Sequence, residues 1–147
     1  MNKKEKKNYL FLGFAIPDEE MEKDFLLDKS PQIQTHKFNW NIIKGLEYFN
    51  EIDFTYISSR PITDYPYFPK IRIKKNRWIV NIYNKKIEIQ EIPFFNYSIL
   101  KIITKLISTL YYSLKKFYLK PNKSGVIVYS VHVPYMLTGL IISRIFN

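Results

Sequence analysis

Cysteine does not occur in the 147 residues. Its absence excludes a disulfide scaffold and thiolate-bound metal, and it fits a reducing compartment. Glycine is scarce, at 4 residues, and none falls into a Gly-x-Gly-x-x-Gly, Walker or Gly-x-Ser-x-Gly arrangement. Dinucleotide loops, phosphate loops and nucleophile elbows are therefore not expected. Histidine occurs only twice, as His36 and His132, with no ligand spacing around either, so no metal centre is expected. No acid follows Glu91. Long apolar runs are missing too. A membrane span needs about 20 nearly uncharged residues, and the best stretch, Ile99 to Leu119, carries Lys101, Lys105, Lys115 and Lys116. The basic N-terminus and the run Tyr9 to Ile16 lead into Pro17 and a group of acids rather than a small-residue cleavage site, so a buried strand is expected there instead of a signal peptide.

What is present is 46% hydrophobic and 24% charged, an ordinary balance for one folded domain. The formal net charge of +10 calls for an anionic partner such as nucleic acid, acidic lipid or a sugar phosphate, although the abundance of Lys, Asn, Ile and Tyr also matches the codon bias of an AT-rich genome. Charge is unevenly spread. Asp18, Glu19, Glu20, Glu22, Asp24 and Asp28 crowd one segment, while the cations dominate the C-terminal part.

The order of elements reads as α/β. Tyr9 to Ala15 is a continuous apolar run of the kind that suits a strand covered on both faces. Residues 17–32 read as a long polar loop. Ile33, Phe38, Ile42, Ile43, Leu46 and Phe49 fit a helix with one buried face, and Ile52 to Ile57 reads as the next strand. Pro61, Pro66 and Pro69 exclude regular structure over residues 58–69. Short strands are expected at Ile71–Lys74, Trp78–Ile82 and Ile87–Ile92, with a turn at residues 83–86, as a small antiparallel extension of the sheet. Tyr97 to Leu119 repeats Leu100, Ile103, Ile107, Leu110, Leu114 and Phe117 at helical spacing, giving a long helix stopped by Pro121. Val126 to Val131 is a buried strand, and a last helix runs from Pro134 to Ile145. The expected organisation is a disordered basic segment, residues 1–7, ahead of one domain, residues 8–147.

Ligands of open α/β sheets bind beyond the carboxyl ends of the strands. The loop after Ala15, the turn Ser58-Ser59-Arg60 and the segment Ser130 to Tyr135 occupy such positions. His132 ends its strand, and an imidazole there can donate, accept or carry charge near neutral pH. The strip Lys70 to Trp78 alternates Ile with Lys and Arg, as a half-exposed strand does, so nucleic acid is not the expected partner.

The arrangement resembles the N-terminal domain of GT-B glycosyltransferases, and within them the retaining family 4. A first strand, Leu10-Phe11-Leu12-Gly13-Phe14, leads through a long segment into a helix opening with Ile33-Gln34-Thr35-His36, which is similar to the family's Gly-Gly-Val-Gln/Glu-x-His. Val126 to Pro134 is similar to the family's strand followed by His-x-His-x-Pro, with Ser130 in place of the first histidine. Pro31-Gln32 stands where the family commonly has two glycines. The resemblance implies a Rossmann-like, mostly parallel sheet flanked by helices, an incomplete GT-B N-terminal domain with a short β extension. It implies the acceptor-binding half of a bacterial transferase, probing a glycan or lipid-linked acceptor, with both imidazoles facing one cleft. His132 would be catalytic, and Gln34, His36, Ser58, Arg60 and Ser130 would bind the acceptor. No cofactor is implied. The nucleotide-sugar co-substrate would be held by a C-terminal domain beyond this half, without which turnover is not expected. The implied location is cytoplasmic, peripheral on the inner face of the plasma membrane. The alternative is a non-enzymatic basic α/β module that binds an anionic membrane or a partner protein.

Overall fold

The computed structural model describes residues 7–49, 51–119, 123–129 and 132–146. The first strand, β1 (Lys7–Gly13), lies inside the sheet. It pairs in parallel with β2 (Ile52–Ser58) on one side and with β7 (Lys123–Val128) on the other. Beyond β2 lies β5 (Lys85–Glu91), also parallel, and then β4 (Asn76–Ile82), antiparallel to β5. The strand order is β4-β5-β2-β1-β7. The chain is thus α/β with a mostly parallel sheet flanked by helices, consistent with a Rossmann-like fold. Lys7, expected in the disordered segment, is the first residue of β1; residues 1–6 lie outside the described residues.

Side-chain alternation on the strands makes a core on each face of the sheet. Leu10, Leu12, Phe14 and Ile57 point to one side, where Phe117 of α3 (Ser98–Leu119) and Tyr135 and Ile142 of α4 (Val133–Phe146) cover them. Phe11, Ala15, Tyr56 and Ile89 point to the other, beneath Trp40 and Ile43 of α2 (Ile33–Tyr48). Each such aliphatic or aromatic side chain removed from water contributes about 1.5–3 kcal/mol. The apolar run of β1 has no polar face because both its faces are covered.

Residues 17–32 correct the loop expectation: α1 (Asp18–Leu27) forms there. Pro17 fixes the entering backbone, and Asp18, Glu19 and Glu20 occupy the first turn, where carboxylates favour the positive end of the helix dipole. Its buried residues are Met21 and Asp24, too few for an apolar periodicity to show.

The hairpin of β4 and β5 turns at Tyr83 and Asn84, both at positive φ (47° and 63°), as a two-residue connection requires. The expected strand at Ile71–Lys74 is only β3 (Arg72–Ile73). It pairs not with β4 but with β6 (Phe94–Phe95) in a separate small ribbon.

Both helix faces differ from expectation. On α2 the buried line is His36, Asn39, Trp40, Ile43 and Glu47, and the expected Ile42 and Leu46 pack against the same core, while Ile33, Phe38 and the following Phe49 are exposed. On α3 the buried line is Lys105, Thr109, Ser113 and Phe117, while Leu100, Ile103 and Ile107 are exposed. Leu110 and Leu114 do pack against the core. The apolar stripe of α3 therefore turns off the sheet toward the start of the helix.

Candidate functional site at the carboxyl ends of the strands

The chain lays down β1, β2 and β5 in one direction, and α3 then carries it back to the far side of β1. Strand order reverses between β1 and β7, the position at which open α/β sheets form their ligand crevice. The strand tips there are tied together. Tyr129 N–H donates to Leu12 O at 2.9 Å, Ser59 N–H to Gly13 O at 3.1 Å, and Ile92 N–H to Ser58 O at 2.9 Å. The Tyr135 hydroxyl, fully buried on α4, donates to Gly13 O at 2.8 Å and so accepts from the Ser59 hydroxyl at 2.6 Å. Burial pushes the Tyr135 phenol up, so it stays a neutral donor. A side chain on Gly13 would meet Asn39 Oδ1 at 2.5 Å, and that oxygen accepts the Phe14 N–H at 3.1 Å.

His132 is half-buried beside this junction. Its ring lies 5.2 Å from Phe14, edge-on, and 4.8 Å from Tyr135. Burial, then the charges of Lys105 and Lys101, pull it down to about 3, which leaves the imidazole neutral at physiological pH. Its Nδ1 has no hydrogen-bond partner among the described residues. Behind it Lys105 is buried, with Nζ 3.4 Å from Arg60 O and 5.5 Å from the centre of the Phe14 ring.

Arg60 is the hub of a second cluster. Its Nε donates to Glu91 Oε1 at 2.6 Å and its Nη1 donates to Asp24 Oδ2. Trp78 Nε1–H donates to Glu91 Oε2 at 2.8 Å, and Lys70 Nζ reaches Asp24 Oδ1 at 3.5 Å. A charged hollow of about 300 Å³ opens over this network, with Lys23, Arg72, Lys74 and Lys75 on its walls.

The residues singled out from the sequence are thus dispersed. His132 stands at the β1–β7 junction, and Arg60 is engaged in ion pairs. Ser58 is buried, with a hydroxyl that has no partner among the described residues. Gln34 is exposed on the first turn of α2. The His36 Nε2 meets Asp18 Oδ1 at 2.8 Å, and its ring packs on Phe25 and Trp40. The two imidazoles have no ring neighbour in common. Ser130 lies outside the described residues. No group of three or more metal-ligating side chains occurs among the described residues.

Lys105, Tyr135, Asn39, Asp24 and Glu91 build the sites and escape a reading by motif. One signal does point to Lys105: Lys101, Lys105, Thr109 and Ser113 step by four along α3, a polar stripe down a helix otherwise rich in Ile and Leu.

Fold and site define an open α/β domain with His132 beside the reversal of strand order and the Arg60 cluster beneath a charged hollow. No protein-family model matches the chain, and no curated protein or solved structure matches it significantly.

Proposed function

We propose that the chain is the acceptor-binding half of a bacterial glycosyltransferase, which moves a sugar from a nucleotide-sugar onto a glycan or lipid-linked acceptor. The observation that carries this reading is the neutral imidazole of His132 at the reversal of strand order, with Nδ1 unpartnered and aromatic rings on two sides. A neutral imidazole in a partly dry crevice can donate to or accept from a substrate hydroxyl without the cost of a buried charge. In this reading His132 orients a hydroxyl at the reacting centre, and Phe14 and Tyr135 wall the crevice against water. The nucleotide diphosphate is held by a second, donor-binding domain.

The test is an NMR titration of the chain with methyl and octyl hexopyranosides and, separately, with UDP and GDP. Glycosides are expected to shift signals of His132, Phe14 and Tyr135, and the His132→Ala variant is expected to lose the response. Binding of a nucleotide at the strand tips without any glycoside response would overturn the assignment, as would silence toward every glycoside.

A further inference from the structure

An exposed apolar patch lies at the start of α3. Ile99 is 70% exposed, and Leu100, Ile102 and Ile103 beside it are also exposed. They stand out because the sheet takes the polar stripe through Lys105 and Thr109, leaving the apolar stripe without a partner over the first turns. Isolated exposed aliphatics need no explanation, but a contiguous apolar patch does.

This patch is continuous with the β3–β6 ribbon. Phe95 N–H donates to Thr104 Oγ1 at 3.0 Å, which ties the ribbon to α3. A shallow hollow of about 220 Å³ between them is lined by Ile73, Pro93, Phe94, Phe95 and Ile107. Just before α3 the exposed Tyr97 meets the exposed Tyr65 at 6.5 Å between ring centres. The Arg72 guanidinium lies 5.9 Å from the centre of the exposed Phe95 ring, and after Ile73 come Lys74 and Lys75, which with Arg72 also line the neighbouring charged hollow. None of these cations is ion-paired among the described residues. Asp64, the acid nearest in sequence to the tyrosines, is already held by Lys101 at 2.7 Å.

We infer that this tip, made of the start of α3 and the β3–β6 ribbon, docks on a bilayer surface bearing anionic headgroups. Aliphatic side chains enter the acyl boundary, tyrosines sit at headgroup level with their hydroxyls wet, and unpaired cations meet the phosphates. A protein partner would need an acidic apolar surface of matching shape, whereas a bilayer needs only apolar insertion with cations beside it. The sheet supplies a rigid base, because Lys101 Nζ anchors the helix start to Ile62 O at 2.6 Å. The inference is independent of the sugar-transfer reading: vesicle binding requires no glycoside response, and a glycoside response requires no vesicle binding.

The test is sedimentation of the full chain with vesicles of phosphatidylcholine alone and of phosphatidylcholine mixed with phosphatidylglycerol, at low and high salt. Binding to the mixed vesicles, weakened by salt and by omission of phosphatidylglycerol, is expected. The double variant Ile99→Ser, Ile103→Ser should lose binding while keeping the far-UV circular dichroism and melting temperature of the parent, since both positions are solvent-facing. The triple variant Arg72→Gln, Lys74→Gln, Lys75→Gln should weaken partitioning about a hundredfold and abolish the preference for phosphatidylglycerol. Parent-like binding by both variants overturns the inference, as does absence of binding to mixed vesicles. A lipid-free dimer that becomes monomeric in the Ile99→Ser, Ile103→Ser variant, without vesicle binding, assigns the tip to a second copy and also overturns it.

Discussion

Lys105 holds its amine 4.4 Å from the centre of the Phe94 ring, at a position only 2% exposed. Burial, then the nearby charge of Lys101, holds this amine well below the ordinary lysine value, and Asp64 opposes the shift in part. The ring faces of Phe94 and Phe14 offset some of the desolvation, but the long contact to Arg60 O satisfies little of the amine. Lys105→Met should therefore stabilise the fold at neutral pH by about 1–3 kcal/mol. The sign with pH follows from proton count. Below the ordinary value of 10.5 the unfolded chain binds a proton that the folded chain releases, so stability rises as pH climbs toward 10.5. The gain from Lys105→Met should shrink over the same range. Urea unfolding of parent and variant at several pH values measures it, and a variant less stable at neutral pH would count against a net cost of burying this amine.

His132 titrates with the same sign. Its folded value is about 3 against an ordinary 6.5, so the unfolded chain binds more protons between these limits, and stability should fall as pH drops through that window. The slope should stay below about 1.4 kcal/mol per pH unit, because the ring is only partly buried and solvent screens it. His132→Gln should flatten the acid limb of a stability profile. In the Lys105→Met chain, the imidazole should titrate higher than in the parent, a shift readable by NMR of the ring protons.

Arg60 binds two carboxylates that water does not reach, Asp24 at 1% exposure and Glu91 at 0%. Arg60→Met should cost about 3–5 kcal/mol at neutral pH, since it strands both charges. Arg60→Lys should recover little, because one ammonium cannot reproduce the guanidinium fork. Denaturant midpoints of these variants at neutral pH are the measurement, and a loss under about 1 kcal/mol, the value of a surface pair, would show that the network is dispensable.

Gly13→Ala tests the close approach at the tip of β1. The added carbon would lie 2.5 Å from Asn39 Oδ1 and 2.6 Å from the Phe11 ring, neither of which is free to retreat. A loss of about 1–3 kcal/mol is expected. The same change at Gly45, where nothing lies within 4 Å, should be neutral or stabilising because alanine favours the helix. A thermal melt of the two variants separates the cases.

Strand-by-strand, the parallel part of the sheet could be read from residues such as Leu10, Phe11 and Leu12, whose unbroken apolarity requires cover on both faces. The long helices were legible through three- and four-residue spacing, with boundaries close to those of α2 and α3. Orientation was not. Periodicity reports which residues share a face, and on α3 the sheet is met by Lys105, Thr109 and Ser113 instead of the isoleucines. The helix α1 was hidden because its stabilisation is electrostatic and tertiary, through Asp24 to Arg60, a partner 36 residues away. Likewise Glu91 joins Arg60 across 31 residues, a pairing that no local pattern encodes. The position of His132 at a strand tip was legible from its place after Val126–Val128. The surroundings of His36 were not, because they depend on α1.

In the strand order, β7 is outermost on one flank, and β4 is outermost on the other. Among the described residues His132 therefore sits beside the sheet's β7 margin. Any extended segment that hydrogen-bonds along β7, from the same polypeptide or another, would lay an extra strand next to His132, so that lengthening the sheet on this flank and changing the surroundings of the imidazole would be one event.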